Sequence, residues 1–210
     1  FEVAGITVWA FRISYVGEQG FELYFDFDSG LPLWDQLFAL GVVPIGVETY
    51  ANSRRLEKSL RLQNADLETD FNLYEAGLAR SVVKKAAFHG KSAYLAQRGL
   101  DQQTSYLCTL VMLANEDAEG IKRYPIGEWP ILDADTGLVV IDAKGRRSFS
   151  TSISYGPSLG RNLLLAYLPA DRAIVGETFI LEYFCEHYPI RVEAVGSTPV
   201  LDPDNERARS

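Results

Sequence analysis

Ser14-Tyr15-Val16-Gly17-Glu18-Gln19-Gly20-Phe21-Glu22 reads as strand, tight turn, strand. Upstream, Val8, Ala10, Arg12 and Ser14 alternate with Trp9, Phe11, Ile13 and Tyr15. Downstream, Phe21, Leu23 and Phe25 alternate with Glu22, Tyr24 and Asp26. Period-two patterning around a glycine-containing break is a hairpin signature. Gly17 and Gly20 allow backbone angles that side-chained residues resist. Such a turn is expected to bring Tyr15 and Glu22 close together. A phenol and a carboxylate held side by side suit a flat heterocycle with N–H donors. An ordinary hairpin with an exposed Glu22 is the alternative.

The chain has 210 residues, enough for one large or two small domains. Hydrophobic residues make up 47%, which supports a substantial core, and no apolar run reaches the ~18 residues of a membrane span. There is no basic-then-apolar leader at the N-terminus, and the expected setting is cytoplasmic. A net charge of −8 disfavours nucleic acid or an anionic membrane as partner. Cys108 and Cys185 both sit in apolar, strand-like contexts and read as buried thiols. With His89 and His187 in unrelated contexts, no metal site is expected.

Along the chain, Ser29-Gly30-Leu31-Pro32 opens a helix, with Pro32 in its first turn. Leu33, Trp34, Leu37 and Phe38 form an apolar stripe at helical spacing, so Trp34 reads as a packing residue. Residues 49–60 read as a second helix. Gly90-Lys91 opens a third, but the spacing of a phosphate-binding loop is absent. From Ser105 onward, short apolar strands separated by Gly, Asp and Pro turns argue for a small antiparallel barrel or sandwich. Asp142-Ala143-Lys144-Gly145-Arg146-Arg147 reads as a solvated basic turn. No dinucleotide-binding glycine fingerprint occurs, so a flavin or nicotinamide site would have to lie upstream.

Four blocks in order resemble the aminomethyltransferase (glycine-cleavage T-protein) superfamily. Tyr15-Val16-Gly17-Glu18-Gln19-Gly20-Phe21-Glu22 is similar to its Tyr-Thr-Gly-Glu-x-Gly-x-Glu motif. Residues 51–67 resemble Ser-Leu-Arg-Leu-Glu-Lys-Gly-Tyr-Arg-Leu-Trp-Gly-Ala-Asp-Leu, with Arg55, Leu56, Glu57 and Asp66 at matching positions. Residues 73–91 resemble Pro-Leu-Glu-Ala-Gly-Leu-Gly-Trp-x-Val followed by Phe-Ile-Gly-Lys. In the last block, Ser152–Gly160 and Leu201–Arg209 resemble Thr-Ser-Gly-x-x-Ser-Pro-x-Leu-Gly and the Tyr-Asp-Pro-Glu-Asn-x-Arg-x-Arg ending of the dehydrogenase and demethylase branches. There are departures. Tyr50-Ala51-Asn52 replaces an Ala-Arg-Asp triplet whose arginine serves the folate site. Gln63-Asn64 replaces Trp/Tyr-Gly, and Arg80 stands where Trp is common.

The resemblance implies an α+β fold. Residues 1–102 would form the C-terminal half of a folate-binding domain, and residues 103–210 a small antiparallel β-barrel. It implies tetrahydrofolate as cofactor, with Tyr15 and Glu22 lining its pocket and Tyr15 also near the reacting nitrogen. Arg55 and Glu57 would form a structural ion pair or cap network. Arg80 would meet a carboxylate substrate or lie as solvated surface. The implied activity is transfer of a one-carbon unit from a small methyl or aminomethyl donor. The run Glu48–Glu57, with Arg80 and the Arg207 ending, looks closest to the branch that O-demethylates vanillate- or syringate-type acids. Aminomethyl transfer, the folate domain of a dimethylglycine or sarcosine dehydrogenase, and a non-catalytic folate-binding protein are the alternatives. The chain starts at Phe1, and the resemblance implies a missing N-terminal half that carries the catalytic acid. An apolar face is then expected on the first part, where that half belongs.

Overall fold

A computed structural model describes residues 1–209. The N-terminal region carries two small antiparallel pairs, β1 (Glu2–Val3) with β2 (Ile6–Thr7), and β3 (Trp9–Phe11) with β4 (Glu22–Tyr24). Helix α1 (Gly30–Ala39) follows. A π-helical stretch, Glu48–Arg54, runs into the single α-helical turn α2 (Arg55–Glu57). The second helix therefore ends at Lys58, short of the expected Leu60. Ser59 takes a left-handed φ of 53° there, and the chain leaves the helix axis. After α3 (Lys91–Arg98), the rest is mostly strand: β5 (Ser105–Met112), β6 (Ile131–Asp133), β7 (Ser150–Gly156), β8 (Arg161–Pro169), β9 (Thr178–Tyr183) and β10 (Glu186–Val195). A short α4 (Glu206–Arg209) closes the described chain.

These six strands form one antiparallel sheet in the order β6-β9-β10-β5-β8-β7. The sheet curls back on itself. The Ser150 N–H donates to the Trp129 carbonyl at 2.8 Å and the Ile131 N–H to the Ser148 carbonyl at 3.0 Å, so its two edges meet. Leu110, Ile131, Leu164, Phe179, Leu181, Tyr188 and Ile190 fill the inside. On the outer face, Leu107, Val111, Leu163, Leu165 and Tyr167 pack against Leu56 and Ala76. Strand β8 sits between these two cores, which is why Leu163-Leu164-Leu165-Ala166 is a continuous apolar run and not an alternating one. The apolar run Leu138–Ile141 makes only isolated bridges, Val139 to Leu132 and Ile141 to Arg147.

Two expectations about side chains are corrected. Cys108 is buried as expected, and burial pushes its thiol up to about 12. Cys185 is exposed, because Phe184-Cys185 is the two-residue turn between β9 and β10. Both turn residues have positive φ, 51° and 64°, as a type I′ hairpin demands. Arg146 is not solvated. Its guanidinium lies 2.6 Å from Glu75 Oε1 and 2.7 Å from Asp142 Oδ2, and stacks 4.2 Å from the Phe71 ring, which itself stacks on Tyr167 at 3.6 Å. No helix among the described residues is long and apolar enough to cross a membrane.

The first fifty residues have no comparable core. Phe27 is 97% exposed, Val47 79% and Trp34 53%, and Trp9, Leu31, Phe38 and Val43 are also exposed. The stripe on α1 exists as the sequence predicts, yet Leu33 is its only buried member. Trp34 therefore stays half-exposed and is not a core residue among the described residues.

What fastens the helical segment to the sheet is a buried ion pair. Arg55 Nη1 donates to Asp66 Oδ2 at 2.5 Å, with both side chains essentially inaccessible. Arg55 also reaches the Ala51 and Leu60 carbonyls and Ser152 Oγ on β7 (2.7, 3.1 and 2.6 Å). Asp66 accepts the Leu62 N–H at 2.8 Å and the Thr151 hydroxyl, and its carbonyl accepts the Tyr167 hydroxyl at 2.8 Å. Removing one partner strands a buried charge, which costs about 3–5 kcal/mol. Asp66→Ala is expected to lower the urea-unfolding free energy by that amount, whereas Arg55→Met with Asp66→Leu recovers most of it. A single-variant loss below about 1 kcal/mol would contradict this assignment.

Candidate functional site

The Tyr15–Glu22 segment does not form the tight hairpin that its alternation suggests. Only Trp9–Phe11 pair with Glu22–Tyr24, and Glu22 lies opposite Phe11. Residues 12–21 form a loop instead. The Ser14 hydroxyl accepts the N–H groups of Val16 (3.3 Å) and Glu18 (3.2 Å), which turns the chain out of the ladder before Tyr15 can pair. Gly17 then takes a left-handed φ of 74° and lies against the Lys58 side chain.

Tyr15 is half-buried, and its hydroxyl donates to the Arg61 carbonyl at 2.7 Å. Burial raises its pKa, only partly opposed by the Arg55 charge, so Tyr15 is a neutral phenol at physiological pH. Its ring lies 5.5 Å from that of Tyr50. Glu22 is half-buried on β4, and its Oε2 accepts the Tyr24 hydroxyl at 2.9 Å. That hydrogen bond holds the Tyr24 pKa above its ordinary value, with Tyr50 close enough to add to the effect. Tyr50 thus contacts the Tyr15 ring and lies within electrostatic reach of the Tyr24 phenol. Its position in place of the triplet's alanine was legible in the sequence, but its contact with the Tyr15 ring was not.

The loop is anchored from three directions. Glu18 Oε1 lies 2.5 Å from Arg54 Nη2 and 3.3 Å from Arg207 Nη1. Arg54 also contacts Glu57 (3.2 Å) and donates to Ser158 Oγ (2.5 Å). Lys58, beneath Gly17, donates to the Asp202 carbonyl at 2.6 Å and meets its carboxylate at 3.3 Å. Glu57 is fully buried and accepts the N–H groups of Ser158 (2.6 Å) and Leu159 (3.2 Å) in the β7–β8 turn. Arg55 and Glu57 are therefore both structural, each with its own partners. Arg61 braces the same region, donating to the Ala76, Ser59 and Gly196 carbonyls.

Arg80 stands apart. Its backbone N–H and C=O both bond the Tyr94 hydroxyl (2.9 and 3.0 Å), and its exposed side chain lines a cavity of about 260 Å³ with Leu78, Val82, Phe88 and Tyr94. That cavity shares no lining residue with the Tyr15 loop. Asn52, at the place of the triplet's aspartate, donates to Glu48 Oε2 at 2.5 Å, and Glu48 Oε1 accepts the Ser154 hydroxyl at 3.0 Å.

Residues 1–86 match the model of the GCVT N-terminal domain family. The chain is 34% identical over 182 residues to an aminomethyltransferase of Moorella thermoacetica, covering 83% of this chain and 44% of that protein. It is 32% identical over 197 residues to mouse mitochondrial dimethylglycine dehydrogenase, covering 91% of this chain and 21% of that protein. The crystal structure of the glycine cleavage system aminomethyltransferase T from Bartonella henselae superposes with a TM-score of 0.72 at 23% identity. That match covers 92% of this chain and 50% of that one, and it supports the fold. Together these similarities support the T-protein superfamily. The chain spans about half the length of the aminomethyltransferases it matches.

Two tests follow from this geometry. A Cβ at residue 17 would lie 2.1 Å from Lys58 Cγ on a left-handed backbone. Gly17→Ala is expected to destabilise by about 1–3 kcal/mol, and Gly17→Ala with Lys58→Ala by less; equal losses would remove Lys58 as the cause. The second concerns acid. Burial pushes the Glu75 carboxyl up, but hydrogen bonds from Arg146 and the Asn72 N–H outweigh it, and the group titrates low. Asp142 and Asp202 are likewise held low, despite burial, by their donors from Ser105 and Arg146, and from Glu206 and Lys58. Folded-state pKa values below the unfolded ones give stability that is complete above the unfolded values and lost as pH falls. Melting temperature should therefore drop steadily from about pH 5 to about pH 3, and a flat profile across that range would contradict these pairings.

Proposed function

We propose that this chain is part of a tetrahydrofolate-dependent one-carbon transferase, with Tyr15 and Glu22 in its folate site. The observations that carry this reading are two pairs on the segment 9–50: the Tyr15 and Tyr50 rings 5.5 Å apart, and Glu22 holding the Tyr24 hydroxyl at 2.9 Å. Their chemistry fits a flat heterocycle bearing N–H donors. Glu22 keeps Oε1 without a partner among the described residues and can accept a charge-assisted hydrogen bond from a ring N–H. Tyr15 keeps acceptor capacity on its oxygen while its proton is committed to Arg61. Tyr50 and Tyr24 offer ring faces for stacking. Tetrahydrofolate would supply the nucleophilic nitrogen that accepts the one-carbon unit. The role of the chain's own residues is to hold and orient that ring at near-attack distance from the donor.

The exposed apolar surface of β3, β4 and α1 supports a further part of the protein packing there, as does the half-length coverage of the relatives. That part would carry the catalytic acid. We read residues 1–102 and 103–210 as two domains, the second being the curled sheet that begins at Ser105.

Two donors compete. Ala51 in place of the triplet's arginine favours methyl transfer, with O-demethylation of a methoxylated aromatic acid giving methyl-tetrahydrofolate. The relatives' names favour aminomethyl transfer or a dimethylglycine dehydrogenase-like reaction. Arg80, in its separate apolar cavity, is the candidate carboxylate contact for the donor only if the missing part brings the two sites together. The complete gene product, incubated with tetrahydrofolate and a panel of methoxybenzoates, dimethylsulfoniopropionate and N-methylglycines, distinguishes them by mass spectrometry of the folate product. Methyl-tetrahydrofolate with a free phenol is the expected result, and methylene-tetrahydrofolate would replace it with the aminomethyl reading. Glu22→Gln should weaken folate binding by roughly 10–100-fold, the worth of a hydrogen bond to a charged group. Unchanged binding would remove Glu22 from the site.

A further inference from the structure

A second cleft lies elsewhere, at the junction of the β5 end, the β7–β8 turn and β10. It encloses about 590 Å³, within the range of small-ligand sites, and shares no lining residue with the Tyr15–Glu22–Tyr24–Tyr50 group. Val111, Met112 and Leu113 give it an apolar floor. Its functional rim is Lys122, Tyr124, Tyr155, Arg161, Asn162 and Arg191.

The polar groups of that rim are incompletely matched. Arg191 binds Glu193 Oε1 through Nη2 (2.6 Å) and Nε (3.1 Å), and Arg161 Nη1 lies 4.0 Å from the same carboxylate oxygen. Glu193 is the one acidic partner of the three cations, so the cleft holds a surplus of two positive charges within a chain of net charge −8. The Lys122 ammonium and the Tyr124 and Tyr155 hydroxyls have no hydrogen-bond partner among the described residues. Asn162 is only 7% exposed, and its side-chain amide, which has no partner among the described residues, is on the cleft lining and open to solvent there. Both tyrosines present exposed ring surface.

We propose that this cleft binds a small dianion carrying a flat ring. The guanidinium of Arg161, with Arg191 and Lys122, would hold the doubly charged end, a geometry that planar guanidinium groups suit. Tyr124 and Tyr155 would flank the ring, and Asn162 would take a polar substituent or bridging water. The apolar floor excludes water beneath the ring, which strengthens the charge pairing above it. Two surplus cations match a phosphate monoester or a pair of carboxylates better than a single carboxylate.

Calorimetric titration of the 210-residue chain with phenyl phosphate, inorganic phosphate and benzoate tests this. Phenyl phosphate is expected to bind saturably, at least tenfold more tightly than either of the others, and to weaken with added salt. Arg161→Gln and Lys122→Gln, both at exposed positions, should each weaken it at least fivefold. Tyr155→Leu should bring it down to the level of inorganic phosphate. Tyr15→Phe should leave it unchanged, which separates this cleft from the proposed folate site. Absence of saturable binding would overturn the proposal. So would benzoate binding as tightly as phenyl phosphate, inorganic phosphate binding equally well, or insensitivity to both charge-removing variants.

Discussion

The buried pair of Arg55 and Asp66 is the constraint on which the rest of this structure depends. It closes the loop after α2, and through Thr151, Ser152 and Tyr167 it fixes that loop to β7 and β8. Two charges removed from water are tolerated only when nearly every lone pair and proton finds a partner. Here Arg55 has four acceptors and Asp66 three donors to its carboxylate, counting the pair itself once for each. Such a network is directional in a way that apolar packing is not. It sets where the segment 51–67 sits on the outer face of the sheet, and so where the Arg61 carbonyl presents itself to Tyr15.

Seen from this pair, the sequence blocks form one framework. Glu57 caps the β7–β8 turn, and its carbonyl accepts the Leu201 N–H at 2.9 Å. Lys58 ties Asp202 to the Gly17 turn, Arg54 ties Glu18 to Ser158, and Arg146 ties Glu75 to the loop before β7. Gly77 belongs to the same framework, because a Cβ there would lie 2.7 Å from Gly196 Cα. Residues far apart in the chain are thus held together by charged side chains reaching backbone groups. The candidate ligand groups, Tyr15, Glu22, Tyr24 and Tyr50, lie outside that framework, on the face whose large apolar side chains remain exposed.

The strands from Ser105 onward were legible because alternation and turn residues are local. β10 alternates cleanly, and the Phe184-Cys185 turn has the backbone that a two-residue hairpin needs. The same locality misled at Cys185, since an apolar neighbourhood in sequence says nothing about which two residues form the turn. The Tyr15–Glu22 stretch was read as a hairpin because its period-two pattern is real. Ser14, however, offers its own hydroxyl to the backbone, and the ladder stops at Phe11. Arg146 was read as solvated because its partner Glu75 is distant in sequence, and no local pattern announces such a pairing. Trp34 sits at a proper core spacing on α1, and the stripe is present, but among the described residues only its Leu33 is buried and Trp34 stays 53% exposed. Tyr15 and Glu22 were singled out by resemblance; the contact of Tyr15 with the Tyr50 ring needed three dimensions.

Native-state hydrogen exchange is the most direct test of this division between framework and open face. The amides of Leu62, Ser158 and Leu159 each donate to a buried carboxylate, Asp66 or Glu57. If the charged framework holds the segment 51–67 to the sheet, these amides should be protected to nearly the same free energy as those of β8, while the β3–β4 amides exchange far faster. Leu62, Ser158 and Leu159 exchanging as rapidly as β3 and β4 would mean that the segment is not fastened by its ion pairs, and the account built on Arg55 and Asp66 would be wrong.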